Sequence, residues 1–333
     1  MTKTILALGT ALLTVLSVTA QEGKPSVKVF SNFNYDLTTV EGETAFKEFE
    51  IKRAYLGYQY NFDDKLSAKI TFDVGTDDGS VYTAFLKIAA LSWNATDKLT
   101  LNFGQVGTKN FKFQEKSWGN RYIAKSVQDE QKWASSADAG LTTDYKVSNK
   151  LSIDAQVLNG EGHKTAQGDN GLFRGSLGIT YTMSDRIAVR FHKDITPGEV
   201  PQSSLFVIEG QSFESASQHI NTLAIAYTGN NFNLGVEKAN MMNAGNILDN
   251  KKDLLSVFGK YTLSEKYSFF GRYDNLTSED DWNLENDGNY TVFGIARQMA
   301  KGVKLSINIQ SWTNAAEESE AERTLFMNLG YNF

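Results

Sequence analysis

Residues 324–333 read TLFMNLGYNF. Leu325, Met327, Leu329, Tyr331 and Phe333 fall on one parity. Thr324, Asn328, Gly330 and Asn332 fall on the other, with Phe326 as the exception. A period of two is that of a strand with one apolar and one polar face. Chain ends fray unless something ties them down. A strand that alternates to its last residue therefore needs a partner strand, and a medium that its apolar face prefers to water.

The other end of the chain narrows the choice of medium. Lys3 gives a short basic start, residues 5–18 are mostly apolar, and Val18 and Ala20 place small residues three and one before a break at Gln21. That is the pattern of a secretory signal peptide over 1–20, too short for a comfortable membrane helix. Residues 21–333 are expected to form one unit. They contain no Cys, so stability comes without disulfides and thiol redox chemistry is excluded. No later stretch approaches the length of a membrane-spanning helix. The mean hydropathy of −0.35 resembles that of a soluble protein, yet a membrane barrel averages the same way because only alternate residues meet lipid. The net charge of −6 argues against a nucleic-acid partner.

Sixteen alternating segments run from 26–36 to 323–333. After the even segments the connections are short: NFDDK, NATDK, VSNK, MSDR, GNN, LSEK and AKG. After the odd segments they are longer and more polar, as at 37–46, 107–135, 195–218 and 276–288. Short turns at one end and long loops at the other mark an outer-membrane barrel with its turns in the periplasm. A soluble sandwich has no reason to sort its loops this way. Face parity agrees. In 66–74, Leu66, Ala68, Ile70, Phe72 and Val74 oppose Ser67, Lys69, Thr71 and Asp73. Alternation is poor in some segments, notably 82–93 and 289–299.

Backbone groups in lipid must be satisfied internally, so strands span only as a closed barrel. The expected fold is all-β, a transmembrane antiparallel β-barrel of 16 strands in a Gram-negative outer membrane. Aromatic residues at segment ends, among them Tyr60, Trp93, Tyr181, Phe232 and Tyr261, would form an interfacial girdle. A barrel of this size leaves an aqueous channel. The terminal Phe333, with Tyr331 before it, resembles the terminal signature of bacterial outer-membrane proteins; the resemblance implies recognition by the barrel-assembly machinery.

Little in the sequence carries covalent chemistry. His163, His192 and His219 are read as lying in or beside external loops, and no HExxH, CxxC, GxSxG or phosphate-binding Gly loop occurs. No metal or cofactor is called for. Acidic clusters at 77–78, 279–281 and 317–320 are candidates for divalent cations that bridge lipopolysaccharide, or are solvated loop charge. Two alternatives to a channel stay open: a barrel hydrolase, which needs a His close to Ser or Asp facing out of the pore, and an exported β-sandwich binding protein.

The informative segment is 107–135, GTKNFKFQEKSWGNRYIAKSVQDEQKWAS. Its aromatic content argues for packing, and in a wide barrel the place to pack is the lumen. Lys109, Lys112, Lys116, Arg121, Lys125 and Lys132 outnumber Glu115, Asp129 and Glu130, so this stretch is net positive in an acidic chain. A positive constriction between low-dielectric walls favours anions. By parity, Arg53, Lys69, Lys87, Arg190, Arg272 and Lys304 face the lumen from the wall. Asp73, Asp154, Glu237 and Asp274 face inward too, which would give mixed walls and weak selectivity.

FEIKRAYLGYQYNFDDKLSAKITFDVG (49–75), LTLNFGQVGTKNF (99–111) and NRYIAKS (120–126) together resemble the phosphate-selective porin O and P family. The likeness covers roughly residues 46–160. It implies a 16-stranded homotrimeric porin passing small anions or polar solutes, with the third external loop as its constriction. It places Lys109, Lys112, Lys116, Arg121 and Lys125 in that loop and matches Arg53 to a strand Arg. A full Arg ladder is not visible.

Overall fold

The computed structural model describes residues 23–38, 44–76, 81–168, 171–198, 205–208, 211–316 and 320–333. The signal-peptide reading and the acidic residues at 77–78 and 317–318 lie outside the described residues. The first nine strands are β1 (Gly23–Asp36), β2 (Lys47–Asn61), β3 (Leu66–Gly75), β4 (Thr83–Asn94), β5 (Leu99–Gly107), β6 (Ala137–Lys146), β7 (Leu151–Leu158), β8 (Arg174–Thr182) and β9 (Ile187–Thr196). A separate hairpin follows, β10 (Leu205–Ile208) with β11 (Gln211–Glu214). Then come β12 (Gln218–Thr228), β13 (Phe232–Met242), β14 (Lys252–Thr262), β15 (Tyr267–Ser278), β16 (Gly288–Ala300), β17 (Val303–Asn314) and β18 (Glu322–Asn332). Without the hairpin, these strands form one closed antiparallel barrel of 16 strands in chain order.

The partner that the last strand needs is the first. β18 pairs with β1, with Tyr331 opposite Val29 and Leu325 opposite Tyr35. The Val27 N–H donates to the Phe333 carbonyl at 2.9 Å, and the Phe333 N–H returns the bond at 3.1 Å. The seam leaves no free edge, and a two-sheet sandwich is thereby excluded.

The apolar faces point outward. Phe103, Phe293 and Ile307 are more than half exposed, while inward Ser306, Asn308 and Asn328 are buried. Asn308 donates to Asn328 at 2.7 Å across β17 and β18. At the short-turn rim, Tyr60 packs edge-on against Phe62, and Phe232 packs against Tyr261. Five of the tight turns share one device: a side-chain oxygen of Asp63, Thr96, Ser148, Ser184 or Ser264 accepts the backbone N–H groups two and three residues ahead. Such residues replace a backbone acceptor in a turn, which explains their recurrence in these loops.

The two segments of poor alternation each contain a β-bulge. In β4 the pairing with β3 steps from Ile88 to Leu86, leaving Lys87 as the extra residue. In β16 it steps past Met299. A third bulge passes over Lys52 in β2. An extra residue resets the parity of everything beyond it, so strict alternation is lost in sequence while both faces are kept in space.

Candidate functional site

The longest connection, 108–136, turns into the barrel. It contains two short helices, α1 (Lys112–Trp118) and α2 (Val127–Glu130). Gly119 ends α1 in the left-handed conformation, at φ 66°, and lets the chain reverse toward Tyr122.

One face of this inward loop is glued to the wall. Trp118 packs edge-on against Phe258 of β14 and Phe270 of β15, in a cluster with Tyr122, Ile123, Ala124 and Val292. Val127 and Trp133 join a second cluster with Ile220, Met241, Leu254 and Leu276. Tyr122 sits where Gly330 of β18 leaves space: a Cβ there would meet the Tyr122 Cβ at 2.8 Å. Burial pushes the Tyr122 hydroxyl up to about 12.

Polar anchors run between the clusters. The Asn110 amide donates to Asp194 at 2.9 Å, and Gln156 donates to Asn110 at 2.8 Å. Gln114 donates to the fully buried Glu237 at 2.9 Å, and Gln128 bonds both Glu237 and Thr222. Arg272 holds the Lys125 carbonyl, chelates Asp274, and lies between the rings of Trp118 and Tyr290 at 5.8 and 5.4 Å. Arg190 grips both Asp154 oxygens, at 2.5 and 2.9 Å, and reaches the Lys109 carbonyl at 3.1 Å. Gly178 lies under that pair; a Cβ there would stand 2.3 Å from Arg190.

These contacts change the expected roles of two wall residues. Arg190 and Arg272 do face inward, but they are buried and neutralised behind the loop. The inward carboxylates share that fate. Asp154, Glu237 and Asp274 are covered on the loop side, and Asp73 is closed in by Lys87 at 3.0 Å and Arg53 at 3.6 Å. The four acids anticipated from parity are thus buried, whereas Asp144 stands half exposed on Lys109 and Glu50 of β2 borders the lumen.

The other face of the loop borders water. A cavity of about 650 Å³ lies between it and the wall of β1–β6. Lys28, Lys69 and Lys87 line it from the wall, and Lys109, Lys112, Glu115 and Arg121 from the loop. Lys28 and Lys69 are exposed, with no carboxylate partner among the described residues. Lys109 is tied to Asp144 at 2.5 Å, and Lys112 is half exposed, 3.8 Å from Glu115. Arg121 stands where three cavities meet. It also lines one of about 350 Å³ with Lys304, and one of about 120 Å³ with Lys52, Arg53 and Lys125 against Glu50.

Glu115 and Asp129 each hold Arg121 at 2.9 Å, and its guanidinium lies 3.4 Å from the Tyr55 hydroxyl across the lumen. Burial alone would lower its pKa, but Asp129, Tyr55 and Glu115 outweigh that and raise it. Lys125 goes the other way: burial pulls it below the usual lysine range, and Glu130 at 4.0 Å only partly opposes. Lys116 is exposed and borders none of these cavities.

Sequence reasoning missed Lys28 and Lys52, and it misplaced His192. The parity signal for Lys28 is present, since it alternates with Phe30 and Asn32 on β1. Lys52 is invisible to parity because it is itself a bulge. His192 lies inside β9, buried, with Nε2 3.1 Å from the Ser176 Oγ. Both side chains face inward behind the loop and none of the cavities described above reaches them, so this pair is not the outward-facing His that a barrel hydrolase requires.

No protein-family model matches the chain, and no curated protein matches it in sequence. Solved structures do. OprB of Pseudomonas putida is similar with a TM-score of 0.70 at 10% identity, over 96% of each chain. The outer membrane channel DcaP of Acinetobacter baumannii gives 0.68 at 12% identity, over 93% of this chain and 97% of that one. The anion-selective porin from Comamonas acidovorans gives 0.67 at 10% identity, over 93% and 99%. At such identities the likeness is one of architecture, and the chain has the 16-stranded barrel fold of the outer-membrane porins.

Proposed function

We propose that this chain is an outer-membrane channel through which small hydrophilic solutes diffuse passively, with a preference for anions set at the inward loop. The observation that carries the reading is the sorting of charge. Asp73, Asp154, Glu237 and Asp274 are buried against the loop or against cations, while the 650 Å³ cavity is bordered by Lys28, Lys69, Lys87, Lys109, Lys112 and Arg121 against Glu115, with Lys28 and Lys69 free of a carboxylate partner among the described residues. Cations facing a narrow aqueous path between low-dielectric walls concentrate anions. No bond is broken and no cofactor takes part.

In this reading the short turns face the periplasm and the long connections face outward. Residues 1–20 direct export, and Tyr331 and Phe333 mark the chain for barrel assembly. The working unit is a homotrimer in a membrane of lipid and lipopolysaccharide. Phosphate is the first specific anion to test, because of the resemblance of residues 46–160 to the phosphate-selective porins.

The test is the reversal potential of the bilayer-inserted protein in a KCl gradient. A potential of the sign expected for chloride permeation supports the proposal, and a combined Lys109→Gln, Lys112→Gln, Arg121→Gln variant should move it toward cations. A cation-selective wild type overturns the anion preference, and absence of conductance overturns the channel.

A further inference from the structure

We infer that the connection between β7 and β8 is a strap laid across the long-loop mouth of the pore, and that a proton on His163 locks it down. The inference rests on the channel reading proposed above.

Residues 159–168 leave the rim at the end of β7 and are first tied to β6. The Asn159 N–H donates to the Ala139 carbonyl at 2.9 Å, and the His163 N–H to the Ala137 carbonyl at 3.1 Å. The Gly160 N–H donates to the Asp138 carboxylate at 2.8 Å. Gly162, at φ 86°, lies against the tail of the inward loop, and a Cβ there would meet the Ser135 Oγ at 2.4 Å. Only glycine fits both that conformation and that approach. From this point two side chains reach onward. Lys164 Nζ stands 4.2 Å over the Phe85 ring of β4, and His163 Nε2 lies 3.7 Å from Asp73 Oδ2 of β3.

Asp73 and Phe85 are directly opposite each other in the β3–β4 register, so both face the lumen. β3 is three steps from β6 around the barrel. The segment therefore runs along the inner side of the rim from β7 to β3, at the ends of strands that lead into long connections. The largest cavity lies beneath it. Lys87, which bonds Asp73, and Ser136, next to Ser135, both line that cavity.

The far end of the strap is an unfinished contact. The His163 side chain is 6% exposed and that of Asp73 2%. Yet neither ring nitrogen of His163 has a hydrogen-bond partner, and neither has Asp73 Oδ1. A neutral imidazole gains little from a carboxylate just beyond bonding distance, whereas an imidazolium forms a charge-assisted bond. The other charged groups at this end are Lys87 of β4 and Arg53 of β2, at 3.0 and 3.6 Å from the same carboxylate. Asp138 of β6 is taken by Gly160, and Glu161 of the strap accepts the Gly168 N–H at 2.9 Å. A carboxylate has about four acceptor sites, so Asp73 has room for His163 beside Lys87. Histidine is the residue type whose charge changes between about pH 5 and 8. Acid outside the cell would thus fasten the strap over the mouth.

The test uses the purified full chain at about pH 8 and about pH 5, in detergent for hydrogen exchange and in a planar bilayer for conductance. Exchange of the amides of 159–168, corrected for its intrinsic pH dependence, should slow about tenfold or more in acid, and conductance should fall. His163→Phe should remove both changes. His163→Lys supplies the charge at both pH values and should hold conductance at the acid level of the wild type. Exchange over 159–168 that ignores pH overturns the inference, as does a pH response that persists in His163→Phe. Faster exchange with higher conductance in acid also overturns it, since Lys87 and Arg53 would then be repelling the imidazolium. Slower exchange with unchanged conductance does so too, because the strap would not lie on the water path. Acid-slowed exchange in a folded protein that never conducts overturns the channel reading and supports the His163 lock.

Discussion

On β7, β9, β13 and β15, the inward carboxylates Asp154, Asp194, Glu237 and Asp274 are buried, each bonded to a guanidinium or an amide. On β1 and β3, Lys28 and Lys69 stand exposed to an open cavity. Both walls belong to one barrel and were built from the same alternation of faces. The difference lies in what covers them. Where the inward loop lies, polar residues have been drawn into a dry interface and must pair to be tolerated. Where it does not lie, cations keep their water and shape the field of the lumen. A loop of this kind therefore divides the wall into a structural half and a functional half.

The sharpest way to break that division is Arg272→Ala. It strands Asp274, releases the Lys125 carbonyl and empties the space between Trp118 and Tyr290. Breaking a buried pair costs about 3–5 kcal/mol. The folded band should be lost at a lower temperature on unboiled gels, and single-channel conductance should rise and grow noisy as the loop detaches. An unchanged conductance would mean that the loop is not held from this side. Gly330→Val attacks the same interface from the last strand by crowding Tyr122. Overpacking costs about 1–3 kcal/mol, and the expected result is a smaller change in conductance with the barrel still heat-stable.

The functional half is sharpened by pH. Lys125 has its pKa lowered by burial, so it should lose its charge as pH rises toward the ordinary lysine value of about 10.4, before its exposed counterparts do. The reversal potential should shift modestly toward cations over that range, and Lys125→Gln should flatten the shift. The smallest effect is expected of Lys116→Gln. It removes a cation from the same loop, but one exposed away from the three cavities, so the reversal potential should stay at the wild-type value.

The fold was legible in the sequence because lipid imposes a strict period of two and loop length separates the two ends of the barrel. Leu66 to Val74 and Val303 to Ile309 carry that signal undamaged. It fails where a bulge interrupts it, at Lys87 and Met299, and pairing geometry is needed to restore it. The entry of 108–136 into the lumen was legible from its aromatic residues. Which wall it chose was not, since that depends on Phe258, Phe270 and Ile220, residues of ordinary strand character that lie far along the chain. For the same reason Arg190 and Arg272 read as free cations: parity reports the side to which a residue points and is silent about what lies against it. The hairpin β10–β11 had no counterpart in the alternating pattern because it is too short to display one.

The contact of Tyr122 with Gly330 joins a loop that leaves β5 to the strand that finishes the chain. Its partners on β12, β14 and β15 likewise come later in the sequence. Most of the apolar surface on which the inward loop docks thus belongs to the second half of the barrel, and its contact with Gly330 needs the last strand in place. Narrowing of the lumen is in this sense shared between the two ends of the chain, since the loop that follows β5 rests on strands that close the barrel.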